Sequence, residues 1–139
     1  MKLPKIRFSA WTRWADRTSL DGIDAPGLYL LAKFKKLPTG DTDLQVQEII
    51  YVGETCKRTL KKRLDNFHRA AFKGKKKIHS GGQTYRKEFK DKGSNLFLAT
   101  LPVNELDNQL RPLFIRYVER KIILDYALIW GTAPKCNKK

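Results

Sequence analysis

The chain is short of cysteine, of acidic residues and of long apolar runs, and each shortage removes a class of explanation. Its two cysteines, Cys56 and Cys136, lie far apart and form no Cys-x-x-Cys pair, so neither a disulfide framework nor a zinc site is suggested. No stretch approaches the ~20 consecutive apolar residues of a membrane span. The opening MKLPKIRFSAWTRW lacks the uninterrupted apolar core of a signal peptide, which points to the cytoplasm. Apart from one lysine cluster there is no low-complexity tract, and no internal repeat.

The shortage of acid has the largest consequence. Against 29 Lys and Arg stand 14 Asp and Glu, a formal charge of +15 on 139 residues. A folded chain with so large a self-repelling excess points to a polyanionic partner, and nucleic acid leads. Anionic lipid would call for a basic amphipathic helix with an exposed apolar face, and the sequence offers no clean example, so no membrane is expected. A hydrophobic fraction of 41% and an aromatic fraction of 11% are ordinary for a folded protein.

The length fits one domain with one moderate core. Trp11, Trp14 and Phe8, followed by the turn-rich stretch from Ser19 to Pro26, suggest a short amphipathic, helical extension over 1–26 that packs on the rest, 27–139. Gly27 to Phe34 reads as a first strand and Val46 to Val52 as a second, joined by a long loop around Pro38-Thr39-Gly40-Asp41. Leu60, Leu64, Phe67 and Ala71 recur at helical spacing, predicting a helix over about Thr59–Phe72. Ser80-Gly81-Gly82 reads as a break before a short polar helix, Gln83 to Lys90, and Leu96 to Leu101 as a third strand. Ile115, Val118, Ile122, Tyr126 and Ile129 mark the longest helix, which starts near Leu110 and is stopped by Gly131 and Pro134. The class is α+β, in the order β-β-α-α-β-α.

Chemistry enters with the motifs. Gly27-Leu28-Tyr29 opens the first strand and Tyr51-Val52-Gly53 closes the second, so a hairpin brings the two tyrosines together. Lys61-Lys62-Arg63-Leu64 follows in the first helix, Glu119 in the long helix, and Pro134 and Asn137 at the end. This ordered set resembles the GIY-YIG nucleases, with Leu28 and Val52 at the positions where the family pattern has isoleucine. The resemblance covers the chain from Gly27 onward. It implies a three-stranded antiparallel sheet flanked by helices, and an endonuclease that hydrolyses DNA, double-stranded or branched, with magnesium, manganese being a substitute.

By that resemblance Tyr29 helps deprotonate an attacking water, with Tyr51 hydrogen-bonded nearby. A tyrosine of pKa about 10 is a poor base unless a cation lowers it. Arg63 supplies one and also forks two donors onto the scissile phosphate, so lysine is an inadequate replacement. Glu119 is the implied metal ligand; a site with a single protein carboxylate suits magnesium, which keeps most of its waters. Asn137 braces the site by hydrogen bonds. Family members often place a tyrosine or histidine four residues after the arginine, where this chain has Phe67. His68 is the candidate for that role, although it lies about 140° around the helix from Arg63 and Phe67 only about 40°.

Phosphate contacts are expected from Lys61, Lys62, Arg69, Lys73, Lys75, Lys76 and Lys77, which give affinity without sequence recognition. Specificity is then left to the loops, the N-terminal segment, a homodimer or a partner protein. Blander readings stand beside these. The tyrosines suit strand packing, Arg63 a solvated basic face, Glu119 an ion pair with Arg116 or Lys121, and His79 a loop. The rival functions are a nucleic-acid-binding module that keeps the fold without cleavage and a basic structural protein of a ribonucleoprotein.

Overall fold

The computed structural model describes residues 2–138, and among them four strands and three α-helices follow one another. In chain order they are β1 (Thr12–Arg13), β2 (Gly27–Lys33), β3 (Ile49–Thr55), α1 (Leu60–Lys73), α2 (Ser80–Phe89), β4 (Leu96–Pro102) and α3 (Leu110–Trp130), with a 3₁₀ helix at Trp14–Ser19. The α+β class read from the sequence is what the chain adopts, but the sheet has four strands, ordered β1-β4-β2-β3 and antiparallel throughout. The strand that the sequence does not reveal is two residues long, too short for any alternation to register. The N-terminal segment likewise forms this strand and a single 3₁₀ stretch instead of an amphipathic helix, tying Thr12 and Arg13 to Leu98 and Phe97.

Alternation along the central strand β2 sends Leu28, Leu30 and Ala32 to one face and Tyr29 and Leu31 to the other. The register Leu30↔Val52, Leu31↔Tyr51 jumps to Ala32↔Ile49, leaving Ile50 as an extra residue in β3. This bulge puts Ile50 and Tyr51 together on the second face. Helix α3 covers the first face with Phe114, Ile115, Val118, Ile122 and Tyr126; α1 and α2 cover the second with Leu60, Leu64, Phe67, Ala71 and Tyr85. Each such burial stabilises the fold by roughly 1.5–3 kcal/mol, so both layers are needed to hold the sheet. The N-terminal segment serves both, Phe8 and Trp11 packing under α3 and Trp14 under α1.

Local chemistry sets the helix ends. The Thr59 hydroxyl accepts from Lys62 N–H at 3.1 Å, and the N–H groups of Leu60 and Lys61 donate to the carbonyls of Ala25 and Ile23. Gly131 closes α3 at φ 83°, the left-handed conformation that favours glycine. Ser80-Gly81-Gly82, expected to break the chain, instead forms the first turn of α2, capped by His79. Among the described residues no helix is long and apolar enough to cross a membrane. The outer side of α3 nevertheless leaves Leu113, Tyr117, Leu124 and Leu128 exposed beside Arg116, Arg120 and Lys121, an apolar row that the sequence reading does not find.

Candidate active site

The hairpin does bring the tyrosines together. Tyr29 faces Gly53 across the β2–β3 pair and Tyr51 lies two residues along on the same face, their ring centroids 5.9 Å apart. Gly53 makes this possible. A Cβ there would come within 2.3 Å of Tyr29 Cζ and 2.6 Å of Tyr51 Cε2, so any side chain would displace both rings. Gly81 does the same from α2, where a Cβ would meet Tyr51 Cε1 at 2.5 Å, and at Gly82 one would meet Ala70 Cβ at 2.7 Å. The glycines that look like a loop signal are the means by which α2 approaches both the tyrosines and α1.

His79 is the functional candidate that the sequence reading leaves in a loop. It is buried, its Nε2 lies 2.6 Å from Tyr29 Oη, and its Nδ1 accepts from Gly82 N–H at 3.0 Å. Phe67 packs edge-on against its ring at 5.2 Å, so the imidazole comes to this helix position from another segment. Burial, and then the charge of Arg63, push His79 down to about 3. The available signal was the histidine directly before a helix start, an N-cap position.

Arg63 is half-buried in the first turns of α1, and its Nη1 donates to the Ile78 carbonyl at 3.1 Å. Its charge favours the ionised form of both Tyr29 and Tyr51. Burial outweighs it, holding Tyr29 well above the usual phenol range and raising Tyr51 by less; Tyr51 is also opposed by Glu119 and Glu54. Arg63 opens onto a cleft of about 480 Å³ lined also by Glu54, Thr55, Lys57, Arg58, Asn66 and Lys77. Lys57 and Arg58 belong to the β3–α1 loop and were not among the expected phosphate contacts. Of those expected, Lys77 lines the cleft, whereas Lys61 and Lys62 line a separate hollow with Arg17 and Asp65. Lys73, the last residue of α1, and Lys75 and Lys76 just beyond it are exposed, and Arg69 is half-buried.

Glu119 comes from α3, on the opposite face of the sheet from α1, and is half-buried. Its field acts on both Tyr51 and Cys56, as does that of Glu54, so the two carboxylates converge on one end of β3. Among the described residues no group of three or more histidine, cysteine or acidic side chains could hold a metal ion. A cation at this end of β3 would therefore take most of its ligands from water and phosphate oxygens, which is how magnesium is usually bound. The Cys56 thiol donates to Glu54 Oε2 at 2.8 Å and is pushed up to about 12 by burial and that bond, so it stays protonated.

Asn137 braces β3. Its Oδ1 accepts from Val52 N–H at 2.8 Å and its Nδ2 donates to the Val52 carbonyl at 2.9 Å, while Cys136 N–H donates to the Ile50 carbonyl. A carboxamide thus imitates a neighbouring strand along the outer edge of the sheet, next to Tyr51. His68 is not brought to the tyrosines. Its Nδ1 accepts from the Trp14 indole N–H at 3.1 Å and its ring stacks on that of Trp14, as its angular offset from Arg63 requires. The chain matches no known family model, no curated protein and no solved structure.

Proposed function

We propose that the chain is an endonuclease of the GIY-YIG type, hydrolysing DNA phosphodiester bonds with one divalent cation, magnesium or in its place manganese. The observation that carries this reading is the convergence of Tyr29, Tyr51, Arg63 and His79 beside a cationic cleft, with Glu119 at the same end of β3. A phosphodiester enters as an anion, and Arg63, Lys57, Arg58 and Lys77 supply the complementary charge. Arg63 Nη1 is fixed by the Ile78 carbonyl, which leaves the remaining guanidinium donors for two phosphate oxygens. The tyrosine pair accepts the proton of the attacking water. Glu119 holds the cation, with Glu54 close by. When bound, the cation supplies neutralisation of the charge that develops on the phosphate and the departing 3′ oxygen.

The site accepts double-stranded or branched DNA in this reading and works in the cytoplasm, with sequence preference supplied by the loops, a second copy or a partner protein. One observation favours a binding module without cleavage: fully buried, apolar Phe67 stands where the family often has a tyrosine or histidine. Supercoiled plasmid treated with the purified protein separates the two. Nicking or linearisation with magnesium, lost with EDTA and in Glu119→Ala and Arg63→Ala, is expected; retention on a gel without cleavage, in magnesium or manganese and on branched or linear DNA, would establish the binding module instead.

A further inference from the structure

Asn66 lies three residues after Arg63 in α1, so the two side chains share one side of the helix. Both line the cationic cleft, together with Lys57, Arg58 and Lys77. Asn66 is 4% exposed, and what remains exposed opens on that cleft. Its carboxamide hydrogen-bonds no described residue, whereas the carboxamide of Asn137 is fully engaged by Val52. A buried amide left unpaired costs the fold free energy that an apolar side chain does not. Alanine would keep the Cβ and is the better helix former, so nothing in the folding of α1 accounts for asparagine here. The cleft holds a second departure from what folding favours. Lys77 takes φ 66°, the left-handed conformation that residues other than glycine seldom adopt, and its neighbour Ile78 gives its carbonyl to Arg63. Thr55 pins the β3–α1 loop that carries Lys57 and Arg58: its hydroxyl donates to the Arg58 carbonyl and accepts from Arg58 N–H, each at 3.1 Å.

We propose that Asn66 is a substrate-binding residue whose NH₂ group donates to a non-bridging oxygen of a DNA backbone phosphate lying in the cleft. The inference rests on the nuclease reading above and adds a neutral, directional contact beside the charged ones. The lining decides what class of group the amide meets. No aromatic side chain lines the cleft, so a nucleobase has nothing there to stack on. Lys57, Arg58, Arg63 and Lys77 call for an anion, and a phosphate oxygen is the acceptor that an amide N–H lacks within the chain. Glu54, the acidic side chain of the lining, accepts from the Cys56 thiol. Lysine attracts a phosphate as a point charge, whereas an amide N–H fixes where its oxygen sits. Asn66 therefore sets the register of the backbone in the cleft and reads no sequence.

Fluorescence anisotropy of labelled DNA duplexes in EDTA measures binding without cleavage. Asn66→Ala should bind roughly tenfold to a hundredfold more weakly than the wild type, the size of a hydrogen bond to a charged acceptor, and by the same factor on duplexes of unrelated sequence. Asn66 is neutral and displaces no counterion, so the slope of log Kd against log salt should stay that of the wild type, whereas Lys77→Ala should make it shallower by about one. Asn66→Asp keeps the shape but presents only acceptors, and should lose more affinity than Asn66→Ala. The Asn66→Ala melt should lie at or above that of the wild type, since no hydrogen bond within the chain is lost. Affinity equal to that of the wild type, in either variant, overturns the proposal. So does an Asn66→Ala melt that falls together with the affinity, which would make the carboxamide a brace of the fold, and so does a loss confined to one sequence, which would be base readout. If Asn66→Ala weakens binding as expected and the wild type cleaves nothing in magnesium or manganese, the nuclease reading fails and the phosphate contact stands. If the wild type cleaves plasmid and Asn66→Ala binds as tightly as it does, the contact fails and the nuclease stands.

Discussion

The two faces of the sheet are built from different materials. Beneath α3, Leu28, Leu30, Ala32, Val52, Phe97 and Ala99 meet Phe114, Ile115, Val118 and Ile122, side chains with no polar atom to satisfy. Beneath α1 and α2, Tyr29, Tyr51, Tyr85 and His79 share the interior with Leu31, Leu60, Leu64 and Phe67. The second face depends on correct hydrogen bonding, since each buried hydroxyl or ring nitrogen left unpaired costs about 1–3 kcal/mol. One face gains its stability mostly from area, with the Tyr126 hydroxyl donating to the Gln47 carbonyl at 2.9 Å. The other gives some of that up to hold polar groups in a dry, cation-lined setting, where electrostatic effects on a phosphate are strongest.

The largest effects should come from the polar side and touch activity alone. Arg63→Ala and Glu119→Ala are expected to lower plasmid cleavage roughly 10²–10³-fold, the size of losing one transition-state charge contact. Their thermal melts should move little, because both side chains sit at the rim of the buried layer. On the apolar side, Ile115→Ala should do the opposite. A loss of about 2–5 kcal/mol in urea unfolding is expected, with cleavage per folded molecule preserved. A fall in intrinsic activity in this variant would show that the two faces are not independent.

Gly53→Ala should breach the division. Its methyl group must displace Tyr29 and Tyr51, so stability drops by about 1–3 kcal/mol and cleavage falls with it. The last effect is with pH. His79 and His68 both titrate below their ordinary range when folded, so the unfolded chain binds protons first as the solution is acidified. Stability is therefore fully present above about pH 6.5 and is lost as pH falls from there towards about 3, the His79 value. His79→Gln, which replaces the titrating ring, should flatten that decline in melts taken between pH 4 and 7, a range set by about the ordinary histidine value.

The same division governs what was legible in the sequence. The apolar face follows periodicity, and so β2, β4 and α3 lie within a few residues of where spacing puts them. On the polar face Tyr29, Tyr51 and Arg63 could be read because they sit in regular elements at motif spacing. His79 could not, because its partner is 50 residues away and its helix starts with two glycines that imitate a loop. In β3 the extra residue Ile50 shifts the alternation, and the strand runs from Ile49 to Thr55, three residues past the expected end at Val52. The grip of Asn137 on Val52 is a backbone mimicry that no spacing rule anticipates, although the residue itself was marked. Lys61 and Lys62 show the opposite failure, since a basic cluster in sequence splits between two hollows once α1 is wound.

The glycines at 53 and 81 have a consequence for motion. They lie at opposite edges of the Tyr51 ring, where a Cβ at Gly53 would meet Cε2 and one at Gly81 would meet Cε1, so the ring sits between β3 and the first turn of α2 with no space for a side chain on either flank. A half-turn of the ring, which surface tyrosines complete on fast timescales, is expected to slow here unless the first turn of α2 lifts away. The flip rate of that one ring, measured by NMR, would then report the opening of this layer.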